Sequence, residues 1–171
     1  LLSMAGGKWT SYRKMAEEAV DQAIVTCKLK PARACQTRHL KLHGAEHYSP
    51  DIAKTLSEKH RLAADIAHHL MHAFGDQAVS VARLADEGFG ARLHPEHPYI
   101  EAEVVYAARC EFAEHASDVL TRRTPLALLD NAAAQAAVPR VVALMGEVHG
   151  WSQERRDAET KSSIERLQTS L

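Results

Sequence analysis

Eight consecutive residues near the start of the chain, Gly6-Gly7-Lys8-Trp9-Thr10-Ser11-Tyr12-Arg13, bring together backbone freedom, a cation and a helix start. Paired glycines let a backbone turn sharply and approach a bound group closely, because neither carries a Cβ. Thr10 is suited to cap a helix, and Tyr12, Met15, Ala16, Ala19, Val20, Ala23 and Ile24 recur at the three-and-four spacing of one helical face. Acidic residues usually occupy a first helical turn, where they offset the partial positive charge of the free N–H groups. Here that turn has none: Arg13 and Lys14 are cationic, Glu17 comes a turn later, and Lys8 adds charge from the loop. A strand, glycine turn and helix N-terminus of this kind suit a phosphate or a carbonyl-bearing cofactor ring. The same residues also fit an ordinary glycine turn before a surface helix.

Other candidate groups are weaker. His68 and His72 stand four apart, a spacing that offers two ligands on one helical face. The run His68-His69-Leu70-Met71-His72 lacks the glutamate of the helix-borne zinc motif and has no evident third ligand, so no metal is assigned. His94, His97 and His115 are read as surface histidines. Glu101 and Glu103 are two apart and point in different directions on a helix, which suits ionic contacts rather than an acid pair. Arg122 and Arg123, at the far end of the same expected helix, are read the same way. The three cysteines Cys27, Cys35 and Cys110 form no Cys-x-x-Cys pair and no complete disulfide framework, which suits a reducing compartment.

The elements that must position these groups are mostly helical. An apolar strand over residues 1–5 leads into the glycine loop, and a helix runs from Ser11 to Cys27, ahead of Pro31. Leu40 and Leu42 alternate with Lys41 and His43, which predicts a short strand. Helices are then expected after Ser49-Pro50, from Leu62 to Gly75, from Asp76 to Gly88 and over residues 100–122, the longest and central one. Asp130 should cap another, which Pro139 should kink or split before Gly150, and a charged helix with a frayed end follows Ser152. With 46% apolar and 25% charged residues the composition is that of a soluble globular protein. A balance of 21 basic and 22 acidic residues leaves no basic footprint for nucleic acid.

The glycine block, continued by Lys14-Met15-Ala16-Glu17, resembles the motif that closes the flavin domain of FAD-dependent glycerol-3-phosphate dehydrogenases. That motif is commonly Gly-Gly-Lys-Trp/Leu-Thr-Thr-Tyr-Arg, so Ser11 departs from it while keeping the hydroxyl. Four further blocks resemble the C-terminal helical domain of the same family: Pro98-Tyr99-Ile100-Glu101-Ala102-Glu103-Val104, Arg122-Arg123-Thr124, Leu129-Asp130 and Val138-Pro139-Arg140-Val141-Val142. Pro125 stands where that family usually has a basic residue.

The resemblance implies a mainly α chain. Residues 1–45 would be a strand, loop and helix remnant of the FAD-binding domain, and residues 46–171 an all-α C-terminal bundle. Gly6, Gly7, Lys8, Trp9 and Thr10 would bind the flavin at its pyrimidine edge, with Trp9 either stacking or simply packing, and Lys8 would also meet the glycerol phosphate oxygens. The full-length enzyme so implied oxidises sn-glycerol 3-phosphate to dihydroxyacetone phosphate. Its electrons pass through FAD to a quinone, and it lies peripherally on the cytoplasmic side of the inner membrane. No Gly-x-Gly-x-x-Gly occurs here, so the dinucleotide-binding unit and the base are expected upstream, with the chain alone inactive and not holding FAD. The small-residue face from Ala132 to Ala137 suits a homo-oligomer contact. Two alternatives remain open: a non-catalytic helical module for self-association or docking, and a related oxidase that passes electrons to oxygen.

Overall fold

The computed structural model describes residues 2–169. The chain forms two compact units, Leu1–Leu42 and His43–Leu171.

In the first unit, residues 2–8 take no regular secondary structure and lead into a 3-10 turn, Trp9–Ser11, and helix α1, Tyr12–Cys27. The strands expected over residues 1–5 and 40–43 are absent among the described residues; Leu1 lies outside them. A strand needs a neighbour to satisfy its N–H and C=O groups, and this unit offers none. α1 ends where Lys28 enters the left-handed region (φ 53), with Leu29 N–H donating to Ile24 O at 3.0 Å and Lys28 N–H to Val25 O at 3.4 Å. This closure is usually made with glycine. The unit contains no fully buried residue among those described, and Trp9, Val20, Val25, Leu40 and Leu42 are exposed.

The second unit is a helical bundle: α2 Ile52–His60, α3 Ala64–Phe74, α4 Ala78–Leu84, α5 Glu101–Cys110, α6 Ala116–Asp118, α7 Leu126–Leu129, α8 Asn131–His149 and α9 Gln153–Thr169. α4 and α6 each run on into a π-helical turn, Ala85–Phe89 and Val119–Arg123. Asp130 caps α8 as expected, accepting a bond from Ala133 N–H at 2.9 Å. Pro139 does not split α8, which continues through it. Val138, Val141 and Val142 are buried around it, so core packing overrides the lost backbone bond.

α5 stands between two cores. Val104, Val105, Ala107 and Ala108 pack with α6, α8 and α9, while Ala102 and Tyr106 pack with α2, α3 and α4. It is central, as expected, but it is not the longest helix; among the described residues α8 is. The helix expected over residues 100–122 stops at Cys110, although neither glycine nor proline interrupts it. Tertiary anchoring makes the break. Ala113 is fully buried, its carbonyl accepts from His149 at 3.0 Å, and its N–H closes back on Ala107 O at 3.1 Å. Phe112 absorbs the turn with φ 55 and is left 92% exposed. Phe112→Gly should therefore be neutral or raise the unfolding free energy by up to about 1 kcal/mol, because the left-handed penalty disappears and little packing is lost. A loss of stability in urea unfolding would contradict this account.

Buried carboxylates tie the bundle together. Glu101 accepts two bonds from Arg140 of α8, both at 2.7 Å, the interhelical ion pair expected of it. Glu103, 1% exposed, accepts from Ile100 N–H at 2.8 Å and pairs with His69 of α3 at 2.7 Å. Arg122 and Arg123 make shorter-range pairs, with Asp118 and Glu111.

Candidate functional site

The glycine stretch lies in the first unit, and its geometry follows from its residue types. Gly6 and Gly7 both have positive φ, 83° and 104°, a conformation that side chains with a Cβ rarely adopt. A Cβ on Gly7 would overlap the Met15 side chain, whereas one on Gly6 would meet nothing within 4 Å. The loop is thus closed on its α1 side and open at Gly6. Lys8 leaves it in an extended conformation (φ −72, ψ 139), and the 3-10 turn Trp9–Ser11 begins immediately after.

The expected cap differs in detail. Thr10 sits inside the 3-10 turn, and Ser11 is the residue before α1. Ser11 makes no side-chain cap bond; its hydroxyl donates backward to Lys8 O at 2.8 Å, and its N–H donates to the same carbonyl at 3.0 Å. The first turn of α1 carries no acidic residue. Its amides therefore have neither a carboxylate nor the Ser11 oxygen to offset them.

Gly6, Gly7, Lys8, Trp9 and Thr10 are consecutive and all exposed. Trp9 is 88% exposed and leans towards Tyr12, ring centroids 6.1 Å apart at 30°. No ion pair involves Lys8 among the described residues, in contrast to its neighbours. Arg13 donates through both terminal nitrogens to Glu17 at 3.1 Å and to Thr37 at 3.0 Å; Lys14 and Arg38 also reach Glu17. The Arg13 hydrogen bond, with the surrounding cations, holds the Glu17 carboxyl below its usual range. Arg13 thus fastens the returning segment onto α1. The spacing of Arg13 and Glu17 signals their pairing, but nothing in the sequence signals Thr37.

An open cleft of about 490 Å³ lies between residues 2–7 and the Met15, Glu18, Ala19 and Gln22 face of α1. Its walls are mainly apolar, and it flanks the glycine loop.

Two of the histidines do something other than expected. His68 and His72 are exposed, and no group of three or more His, Cys, Asp or Glu among the described residues is placed to hold a metal. His97 and His115, read as surface residues, are instead partners of carboxylates: His97 with Asp130 at 3.0 Å and His115 with buried Glu159 at 3.0 Å. These pairs join segments distant in sequence, and no local spacing reveals them.

Residues 35–156 match the family described as the C-terminal domain of alpha-glycerophosphate oxidase. Similarity to curated relatives covers more of the chain and takes in the glycine loop. The mitochondrial glycerol-3-phosphate dehydrogenase of Arabidopsis thaliana is 40% identical across 99% of this chain, and that of Mesocricetus auratus 43% across 98%. A probable mitochondrial glycerol-3-phosphate dehydrogenase of Dictyostelium discoideum is 41% identical across 99%. The chain spans 29%, 24% and 27% of these relatives respectively, so it matches about a quarter of each. With more than half of its residues matched and a fold of packed helices over that stretch, the chain belongs to the family of the alpha-glycerophosphate oxidase C-terminal domain.

Proposed function

We propose that this chain serves as the C-terminal part of an FAD-dependent glycerol-3-phosphate dehydrogenase, which oxidises sn-glycerol 3-phosphate to dihydroxyacetone phosphate and delivers the electrons to a quinone. The observation that carries the reading is identity of about 40% to glycerol-3-phosphate dehydrogenases along almost the whole chain, glycine loop included. Residues 1–45 then complete the FAD-binding domain, and residues 46–171 form the helical domain. The exposed apolar side chains of the first unit, Trp9, Val20, Val25 and Leu42 among them, would pack against polypeptide supplied by the rest of the enzyme.

The loop fits the cofactor in two respects. Gly6 leaves open space where a side chain would stand, and the start of α1 presents amides without a competing acid. Gly6, Gly7, Lys8, Trp9 and Thr10 would hold the flavin, which supplies two-electron acceptance when bound. Positive charge from Lys8 and the partial charge of the helix start favour an electron-rich ring edge and the substrate's phosphate oxygens. Trp9, largely exposed here, would cover that edge by packing. Peripheral attachment to an inner membrane accords with the mitochondrial naming of the relatives, and no described helix is long and apolar enough to cross a bilayer. The small-residue face of α8 expected to meet another copy is instead used within the bundle, where Ala133, Ala134 and Ala137 are buried in the core.

Two preparations test the reading: this chain, and the full-length polypeptide that contains it. Yellow colour and dye reduction by glycerol 3-phosphate are expected only in the longer protein. In it, Lys8→Ala should raise the KM for glycerol 3-phosphate about tenfold, as expected for loss of one charge-assisted contact. Full-length protein without flavin, or Lys8→Ala with unchanged kinetics, would overturn the assignment. Peroxide formation in place of quinone reduction would identify an oxidase.

A further inference from the structure

We infer that Ser11 is a positioning residue for Lys8, an inference that rests on the reading of Lys8 given above. One carbonyl, Lys8 O, receives both the Ser11 hydroxyl at 2.8 Å and the Ser11 N–H at 3.0 Å. Together these bonds close the 3-10 turn Trp9–Ser11 and fix the peptide plane that follows Lys8. That plane sets ψ of Lys8, 139°, and so the direction in which its side chain leaves the loop.

The loop has few other restraints. Gly6 and Gly7 precede Lys8, both with positive φ, and a Cβ on Gly6 would touch nothing. Glycine pairs leave the chain its widest choice of directions. Lys8 has no ion pair among the described residues that could hold its ammonium in place, whereas Arg13 and Lys14 are held by Glu17. Control of the lysine therefore comes from the backbone side, through Ser11.

The same hydroxyl has a second effect. A serine before a helix commonly offers its oxygen to the N–H two or three residues on. Ser11 makes no such bond, because its hydroxyl is committed to Lys8 O. The cation is steadied while the hydroxyl takes none of the first-turn amides, of which Tyr12 N–H donates to Trp9 O. One side chain thus couples the direction of the charge to the readiness of the helix start.

The test uses the full-length flavoenzyme. Ser11→Ala should raise the KM for glycerol 3-phosphate about fivefold, the loss expected for one hydrogen bond that orders the lysine, with flavin per protein unchanged. Ser11→Thr restores the hydroxyl and should recover the parent KM within about twofold. The decisive comparison is made on Lys8→Ala, where adding Ser11→Ala should change nothing further, because the residue to be positioned is gone. A fivefold effect that persists on Lys8→Ala, loss of flavin from Ser11→Ala, or parent kinetics in Ser11→Ala would each overturn the role of Ser11. Parent kinetics in Lys8→Ala would defeat the reading of Lys8 itself and this inference with it.

Discussion

Replacing Gly75 with alanine lowers the unfolding free energy of the chain by about 3 kcal/mol, the sum of backbone strain and a contact that cannot relax. Gly75 ends α3 with φ 59 and ψ −129, a combination that L-residues scarcely populate. Its position is also filled: a Cβ there would overlap Gly44 O and lie 2.8 Å from Gly44 C. The reverse holds too, since a Cβ on Gly44 (φ 89) would stand 2.6 Å from Phe74 O. Both obstacles are backbone, so no side chain can swing aside. The clasp is sealed by Asp76 N–H donating to Gly44 O at 2.8 Å and His47 N–H to the Asp76 carboxylate at 2.7 Å.

For a unit of this size the loss corresponds to a fall in melting temperature of roughly 6–12 °C. Gly88→Ala separates the two causes. Gly88 also has positive φ (112°), but nothing lies within 4 Å of its would-be Cβ, so it should cost only about 1 kcal/mol. Equal losses at the two sites, measured by urea unfolding, would show that the contact between the glycines contributes nothing.

The second large effect is expected at Glu159, which is 3% exposed in α9. One of its oxygens accepts from Ala116 N–H and from Ser163, both at 3.0 Å; the other accepts from His115 at 3.0 Å and lies 3.3 Å from Arg155. α6 thus begins on a carboxylate supplied by another helix. Truncation in Glu159→Ala leaves the buried Ala116 amide without an acceptor and should cost about 3 kcal/mol.

The same group sets an acid limit. Burial raises the Glu159 pKa, but the bonds from His115, Ala116 N–H and Ser163 outweigh burial and hold it below its ordinary value of 4.5. The unfolded chain therefore takes up the proton at a higher pH than the folded one. The resulting stabilisation is complete above about 4.5 and is lost as pH falls through the lower folded value. Glu159→Gln cannot titrate, so its stability should fall less steeply than that of the parent below that pH. Parallel curves for the two proteins would refute the linkage.

Local chemistry made part of this fold readable. α1 ends at Cys27 before Pro31, α3 stops at Gly75, Asp130 caps α8 and Gly150 ends it, because each boundary depends on neighbours in sequence. What escaped was decided by contacts between remote residues. Ala113 and Ala116 are drawn into the core by α8 and α9, so the chain breaks after Cys110 where its own pattern is helical. Leu2 and its neighbours have the composition of a strand but no adjacent strand to pair with. Pro139 should have divided α8, yet the valines on either side of it are buried deeply enough to carry the helix past.

The candidate site divides in the same way. Gly6, Gly7, Lys8, Trp9 and Thr10 stand together because they are consecutive, and the lack of acid in the first turn is visible in the letters alone. The direction taken by the Ser11 hydroxyl is a matter of rotamer choice. Serine before a helix ordinarily points forward, and only coordinates show it pointing back.

Because α5 gives one flank to each apolar cluster, neither cluster possesses a complete boundary of its own. Dissolving either strips a side from the other, so the bundle has no half that could persist as a stable remnant. Any gap made in α5 weakens both neighbours at once.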